Sequence, residues 1–234
     1  MPKPRARMSP ARRPMPRVAP RDLCARYGRI YTAAITDVLD HLGCYNQTLP
    51  HDIVGLTPGT RLAGIAFPAS GKPSRNADTE AAIRAFLTLL GVVPRDAILV
   101  IQANDDAAAH FGELSAVALK ARGARGVVVD GATRDAAYIL RERFPVFCRY
   151  RTPLDSLPRW LAVEWGRPVT IGEVRVHAGD VVVGDLDGVA VVPQGLAVQV
   201  LLECEALLDT ENRVRDAVRK GMAPLAAYEK FGVF

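Results

Sequence analysis

The chain has 234 residues, 49% hydrophobic and 24% charged, a globular composition that excludes an intrinsically disordered protein. Its net charge of +5 sits at one end: residues 1–20 hold Lys3, Arg5, Arg7, Arg12, Arg13 and Arg17 with no acid, so the rest is near neutral and nucleic acid is not an expected partner. No apolar run approaches the roughly 18 residues of a membrane span, so no membrane partner is expected.

The segment 1–20 also carries Pro2, Pro4, Pro10, Pro14, Pro16 and Pro20. So many prolines cannot form an amphipathic presequence helix, and the segment reads as a basic, disordered arm with no secretory stretch. Residues 21–234 then read as a single domain. From 22 to 42, Leu23, Tyr27, Ile30, Ala34, Ile35, Val38 and Leu39 recur at helical spacing, with Gly43 as a stop and Thr36-Asp37 able to start a second helix inside the stripe. A strand is predicted over 61–67, ending near Pro68, then a loop over 69–76 and a helix over 77–90.

Regular alternation follows. Strands are predicted over 97–101, 126–129 and 146–148, with helices over 113–122 and 134–143 between and after them. Strands apolar on both faces that alternate with helices predict a mainly parallel sheet covered on both sides. Short β segments are predicted over 169–171, 173–176, 181–183 and 190–192, and an amphipathic helix over 195–220 closes the pattern. Cys24, Cys44, Cys148 and Cys204 stand far apart without a CxxC pair, which points to reduced thiols in a cytoplasmic protein.

Several motifs fail. Gly71-Lys72-Pro73-Ser74 hints at a P-loop, but Ala66 stands where the first glycine is needed and proline replaces the magnesium-binding hydroxyl. Asp185-Leu186-Asp187-Gly188 lacks the spacing of a calcium loop and reads as a turn between strands.

Chemistry concentrates at two strand-to-helix junctions. The first runs through Asn104-Asp105-Asp106 and His110 to Gly112-Glu113-Leu114-Ser115; the second runs through Asp130-Gly131-Ala132-Thr133 to Arg134-Asp135. In an open parallel sheet, ligands bind outside the carboxyl ends of the strands, where both junctions fall. Free N–H groups of Glu113, Leu114 and Ser115 suit a carboxylate. Arg134 offers a planar fork to an oxyanion, and Asp135 is a hard ligand suited to magnesium or manganese with several waters retained. Thr133 reads as an N-cap that fixes the direction of both. Arg-Asp at a helix start is also compatible with a dipole contact and a surface ion pair. His110 reads as structural more readily than as catalytic.

The segment FGELSAVALKARGARGVVVDGATRD (111–135) closely resembles the RraA-like family. That family includes class II 4-hydroxy-4-methyl-2-oxoglutarate and 4-carboxy-4-hydroxy-2-oxoadipate aldolases and the regulator of ribonuclease E activity A. The resemblance extends from about Thr32 to Pro193 through TAAITDVLD (32–40), GTRLAGIA (59–66) and HAGDVVVGDLDGVAVVP (177–193). It implies an α/β/α sandwich like the swivelling phosphohistidine domain, with N- and C-terminal helical extensions, assembled as trimers or hexamers.

By the same resemblance, residues 112–115 bind a pyruvyl carboxylate, Arg134 contacts the keto oxygen and Asp135 is the direct metal ligand, for Mg2+ or Mn2+. Glu113, and a glutamate on the C-terminal helix of a neighbouring subunit, hold metal-bound waters; Glu211 is the candidate, with Glu203 and Glu205 as competitors. The implied activity is retro-aldol cleavage of a 4-hydroxy-2-oxo acid to pyruvate plus an oxo compound, with oxaloacetate decarboxylation as a side activity. The alternative is a non-catalytic binding protein of the ribonuclease regulator type; that branch is shorter at both ends, and the intact Arg134-Asp135 pair and long terminal helix favour the aldolase branch. A third reading gives the basic arm an RNA-tethering role.

Overall fold

The computed structural model describes residues 16, 18–74 and 78–234, so the basic arm lies almost wholly outside the described residues, as do 75–77. In chain order come α1 (Pro20–Tyr27), α2 (Thr32–His41), β1 (Val54–Gly55), β2 (Leu62–Pro73), α3 (Thr79–Val92), β3 (Ala97–Gln102) and β4 (Ala109–Phe111). There follow α4 (Glu113–Arg122), β5 (Gly126–Thr133), α5 (Ala136–Glu142), β6 (Val146–Arg151), β7 (Trp160–Trp165), β8 (Val169–Ile171) and β9 (Val174–Val176). The chain continues through β10 (Val181–Gly184), β11 (Val189–Val192), a 3-10 turn at Gln194–Leu196, α6 (Ala197–Arg219) and α7 (Pro224–Phe231).

Ala97–Gln102 is apolar on both faces and therefore takes the centre of a nine-stranded sheet ordered β1-β6-β5-β3-β2-β10-β11, with β4 added on β5 and β7 on β2. The β2, β3, β5 and β6 ladder is parallel as expected, whereas β1, β7, β10 and β11 pair antiparallel, so the sheet is mixed. The two faces of β3 serve different layers. Leu99 and Ile101 pack with Val127 and Val129 under the α3–α5 layer, while Ile98 and Val100 pack with Val128, Val182 and the β8–β9 hairpin. Farther along the helix-bearing face, Val181, Val183, Ala190 and Val192 are covered by α1, α2 and α6. The result is an α/β fold with a curled, nearly closed sheet, one face covered by the hairpin and the other by two groups of helices. No helix among the described residues is long and apolar enough to cross a membrane.

Four expectations change. The 22–42 stripe breaks at 28–31 rather than at Thr36-Asp37, because the buried Asp185 accepts from the backbone N and Oγ1 of Thr32 at 2.8 and 2.7 Å and starts α2 there. The strand predicted over 61–67 runs on through Pro68 and the expected loop to Pro73. Pro68 is tolerated because it stands between the part of β2 paired with β10 and the part paired with β7, where no N–H is required. β5 continues four residues beyond Val129 because β4 and β6 flank Ala132 and Thr133. The helix predicted over 134–143 starts only at Ala136. Asp185 and Gly188 do form the turn between β10 and β11, the Asp185 N–H donating to the Gly188 carbonyl at 3.0 Å.

Candidate active site

Two junctions meet because β4 and β5 are neighbours. β4 ends at Phe111, Gly112 is extended, and α4 begins at Glu113. Thr133 is fully buried at the end of β5, and its hydroxyl donates to the Phe111 carbonyl at 3.0 Å, which also accepts from the Arg134 N–H at 2.9 Å. The expected N-cap role of Thr133 is therefore corrected: its hydroxyl is spent joining the two junctions. The N-cap of α5 is Asp135, in the left-handed region at φ 56°, ψ 29°.

That conformation costs a non-glycine residue roughly 1–2 kcal/mol. It turns the carboxylate away from its own helix and back over α4, where Oδ2 accepts from the Glu113 N–H at 3.3 Å and lies 3.6 Å from Arg134 Nε. Gly112 makes the approach possible, since an added Cβ would stand 2.7 Å from Asp135 Oδ2 and 3.4 Å from Arg134 Nε. Gly112→Ala is accordingly expected to displace the Asp135 carboxylate and lower any activity at least about tenfold, with a melting temperature close to that of the parent. Parallel rate and thermal-unfolding measurements check this.

Arg134 also reaches across to Asp155, Nη1 to Oδ2, at 3.1 Å. Asp155 lies between β6 and β7, and is drawn in where Ala109 N–H donates to the Leu154 carbonyl at 2.9 Å. Sequence reasoning missed it. In the stretch Thr152-Pro153-Leu154-Asp155 it looks like an ordinary turn residue, and nothing local links it to a site 21 positions earlier.

Gly112, Glu113, Leu114, Ser115, Arg134 and Asp135, the residues picked from the sequence, all line one cavity of about 180 Å³, closed on other sides by Asp155–Leu157, Trp160 and α3. The first N–H groups of α4 have no carbonyl one turn earlier to bond, so those of Leu114 and Ser115 remain donors for an anion. Arg134 and Asp135 are both partly exposed, 37% and 42%, so their ion pair adds little to stability and both groups remain available to a ligand.

His110 lines the same cavity but is wholly buried, with Nε2 2.9 Å from Asp105 Oδ2 and its ring edge-on to Trp160 at 5.0 Å. Among the described residues its Nδ1 has no partner, which fits a neutral ring donating through Nε2. Burial lowers its pKa from the usual 6.5, against the opposing pull of Asp105. The unfolded chain therefore takes up a proton first as pH falls, so stability present above about pH 6.5 is lost as pH drops toward the lower folded value. Denaturant midpoints at pH 7.5 and 5.0 are expected to show this decline, and His110→Gln to flatten it.

Glu211 lies elsewhere. It accepts from the Tyr31 hydroxyl and from Arg215 Nη2, the latter at 3.2 Å, on the helical group that covers β10 and β11. Its competitors are also engaged within the chain, Glu205 with Arg26 Nε at 2.7 Å and Glu203 with Gln199 at 2.9 Å.

Among the described residues no three His, Cys, Asp or Glu side chains converge as a metal cage. The donor set instead fits a hard cation that keeps most of its water: Asp135 offers a carboxylate with a single longish N–H contact over the gap left by Gly112, and Glu113 lines the same cavity, while Asp155 is paired with Arg134.

A protein-family profile described as "RraA-like: Aldolase/RraA" matches residues 32–191. A curated protein from Halalkalibacterium halodurans named "Putative 4-hydroxy-4-methyl-2-oxoglutarate aldolase" is 31% identical over 210 residues, covering 89% of this chain and 95% of that protein. A solved structure described as one of "novel cellulases from microbes associated with the gut ecosystem" superposes with a TM-score of 0.80 at 31% identity, over 87% of this chain and 90% of that one. A Streptomyces coelicolor protein, described as an unusual member of the RNase ES inhibitor RraA protein family, superposes with a TM-score of 0.75 at 27% identity, over 86% and 99%.

Proposed function

This chain belongs to the RraA-like, Aldolase/RraA family, and from that premise we propose that it is a divalent-metal-dependent class II aldolase cleaving a 4-hydroxy-2-oxo acid to pyruvate and an oxo compound. The observation that carries the reading is the meeting, in one cavity, of the α4 N-terminus, the Arg134 guanidinium and the left-handed Asp135 carboxylate.

In this reading the pyruvyl carboxylate accepts from the Leu114 and Ser115 N–H groups, and the adjoining keto oxygen lies against Arg134. The C3–C4 bond breaks, and its electron pair moves through C2 onto the keto oxygen as the enolate of pyruvate. The C4 hydroxyl loses its proton and becomes the carbonyl of the departing product; a proton taken up at C3 then completes pyruvate. One well-placed donor to a developing oxyanion is worth about 10²–10³ in rate. Bound Mg2+ or Mn2+, which Asp135 would hold directly and Glu113 through water, supplies Lewis acidity worth several kcal/mol more. His110 is committed to Asp105, so water held beside Glu113 is the better recipient of the hydroxyl proton. The same electron flow decarboxylates oxaloacetate.

We further assign the protein to the cytoplasm as a homotrimer or hexamer, with Glu211 of a neighbouring subunit completing the site through water. Pyruvate release from 4-hydroxy-2-oxo acids, present with magnesium and lost in excess EDTA, tests the function. A non-catalytic regulator, the reading favoured by the likeness to the Streptomyces protein, would release none.

A further inference from the structure

We infer that Asp155 is a positioning residue, holding the Arg134 guanidinium toward the keto oxygen from the loop between β6 and β7. This inference rests on the aldolase reading of the same cavity.

Both groups are registered on one short strand, β4. The Phe111 carbonyl accepts from the Arg134 N–H at 2.9 Å. Two residues earlier the Ala109 N–H donates to the Leu154 carbonyl at 2.9 Å, where Ala109 and Asp155 form a bridge. The Thr152 N–H donates to the Thr133 carbonyl at 3.2 Å and ties the start of the loop to the end of β5. Asp155 then divides its oxygens: Oδ1 accepts from the Leu157 N–H at 3.2 Å, and Oδ2 faces Arg134 Nη1 at 3.1 Å. The carboxylate is thus fixed by its own loop before it meets the guanidinium.

A fixed partner matters because arginine has several rotatable bonds, whose freedom must be given up before it can act as a preorganised donor. The Arg134 side chain is 37% exposed and pairs, among the described residues, with two acids, Asp155 at 3.1 Å and Asp135 at 3.6 Å. In the aldolase reading Asp135 turns to the cation, so Asp155 is the partner that stays with the guanidinium in the loaded enzyme. The other walls cannot replace it. Helix α3 presents the apolar stripe Ile83, Phe86 and Leu87, and the Trp160 indole N–H is spent on the Ala103 carbonyl at 2.7 Å.

The sign of the effect separates positioning from plain charge. A carboxylate beside a developing enolate opposes it, so if Asp155 acted through its charge alone, its removal would speed the reaction. If it acts by fixing Arg134, removal slows the reaction, and only while Arg134 is there to be fixed.

The test is a double-mutant cycle on the full chain with magnesium, reading pyruvate release from oxaloacetate and from 4-hydroxy-4-methyl-2-oxoglutarate. Asp155→Asn keeps an acceptor for the Leu157 N–H but removes the charge that faces Arg134. It is expected to lower kcat about tenfold with little change in KM, and by less than about twofold when added to Arg134→Ala. Its melting temperature is expected to match that of the parent, since the pair is half exposed. Asp155→Glu, which restores the charge, is expected to recover part of the loss. Oxalate, a planar mimic of the pyruvate enolate, is expected to bind Asp155→Asn about tenfold more weakly by calorimetry, while pyruvate binding changes little. Unchanged or faster turnover by Asp155→Asn, or an equal loss with and without Arg134, overturns the inference and leaves the aldolase reading standing. Absence of pyruvate from both acids with the parent protein overturns both.

Discussion

Asp135→Asn is expected to lower pyruvate release by on the order of 10³ or more, to the background of the assay. Asparagine keeps the size, the hydrogen-bond acceptor for the Glu113 N–H and the tolerance of the left-handed conformation at φ 56°. It removes the one charge suited to a hard cation, and Lewis-acid help worth several kcal/mol corresponds to several powers of ten in rate. Asparagine is the sharper substitution than alanine, because alanine would add the cost of a left-handed backbone, roughly 1–2 kcal/mol, and confuse unfolding with chemistry. The readouts are steady-state rate and thermal unfolding on the same preparation. A fully active Asp135→Asn protein, or a parent indifferent to EDTA, would remove the metal from the mechanism.

The second large effect belongs to Arg134. Arg134→Ala is expected to lower kcat by about 10²–10³ with a smaller change in KM. In the proposed reading the α4 N-terminus would already offer N–H donors to the pyruvyl carboxylate, so the ground state would bind without the guanidinium. Charge grows on the keto oxygen only as the C3–C4 bond breaks, which is when a fixed cation gains most. Asp155 and Asp135 hold that cation in place from two directions, at 3.1 and 3.6 Å. Lysine should rescue only in part, since one ammonium cannot meet Asp155, Asp135 and the substrate as a planar fork does. The folded state should be nearly as stable as the parent, because the pairs are half exposed. Normal kcat with a greatly raised KM would reassign Arg134 to uniform substrate binding.

How far the sequence reached depended on how local each decision was. Helix α4 was legible to the residue, since Gly112 and Gly123 bracket a helical stretch, whereas β5 was legible only as far as Val129. Its last four residues look like a turn, Asp130-Gly131-Ala132-Thr133, and become strand because β4 and β6 lie alongside to pair with them. β1, β4 and β7 have two, three and six residues, and the first two are too short for a period to show.

The α/β class, the alternation from 97 to 148, the family and the six residues 112–115, 134 and 135 of the cavity were determined by the sequence alone, because periodicity and helix-start chemistry act over a few neighbours. Tertiary structure decided what those residues face. It set Thr133 against Phe111 rather than at a helix cap, turned Asp135 over Gly112, brought Asp155 to Arg134 and laid the apolar stripe of α3 beside them. Each of these contacts joins elements brought together by strand order and register. Those are settled by burying apolar faces across the whole sheet, and that competition leaves no mark in any short stretch of chain.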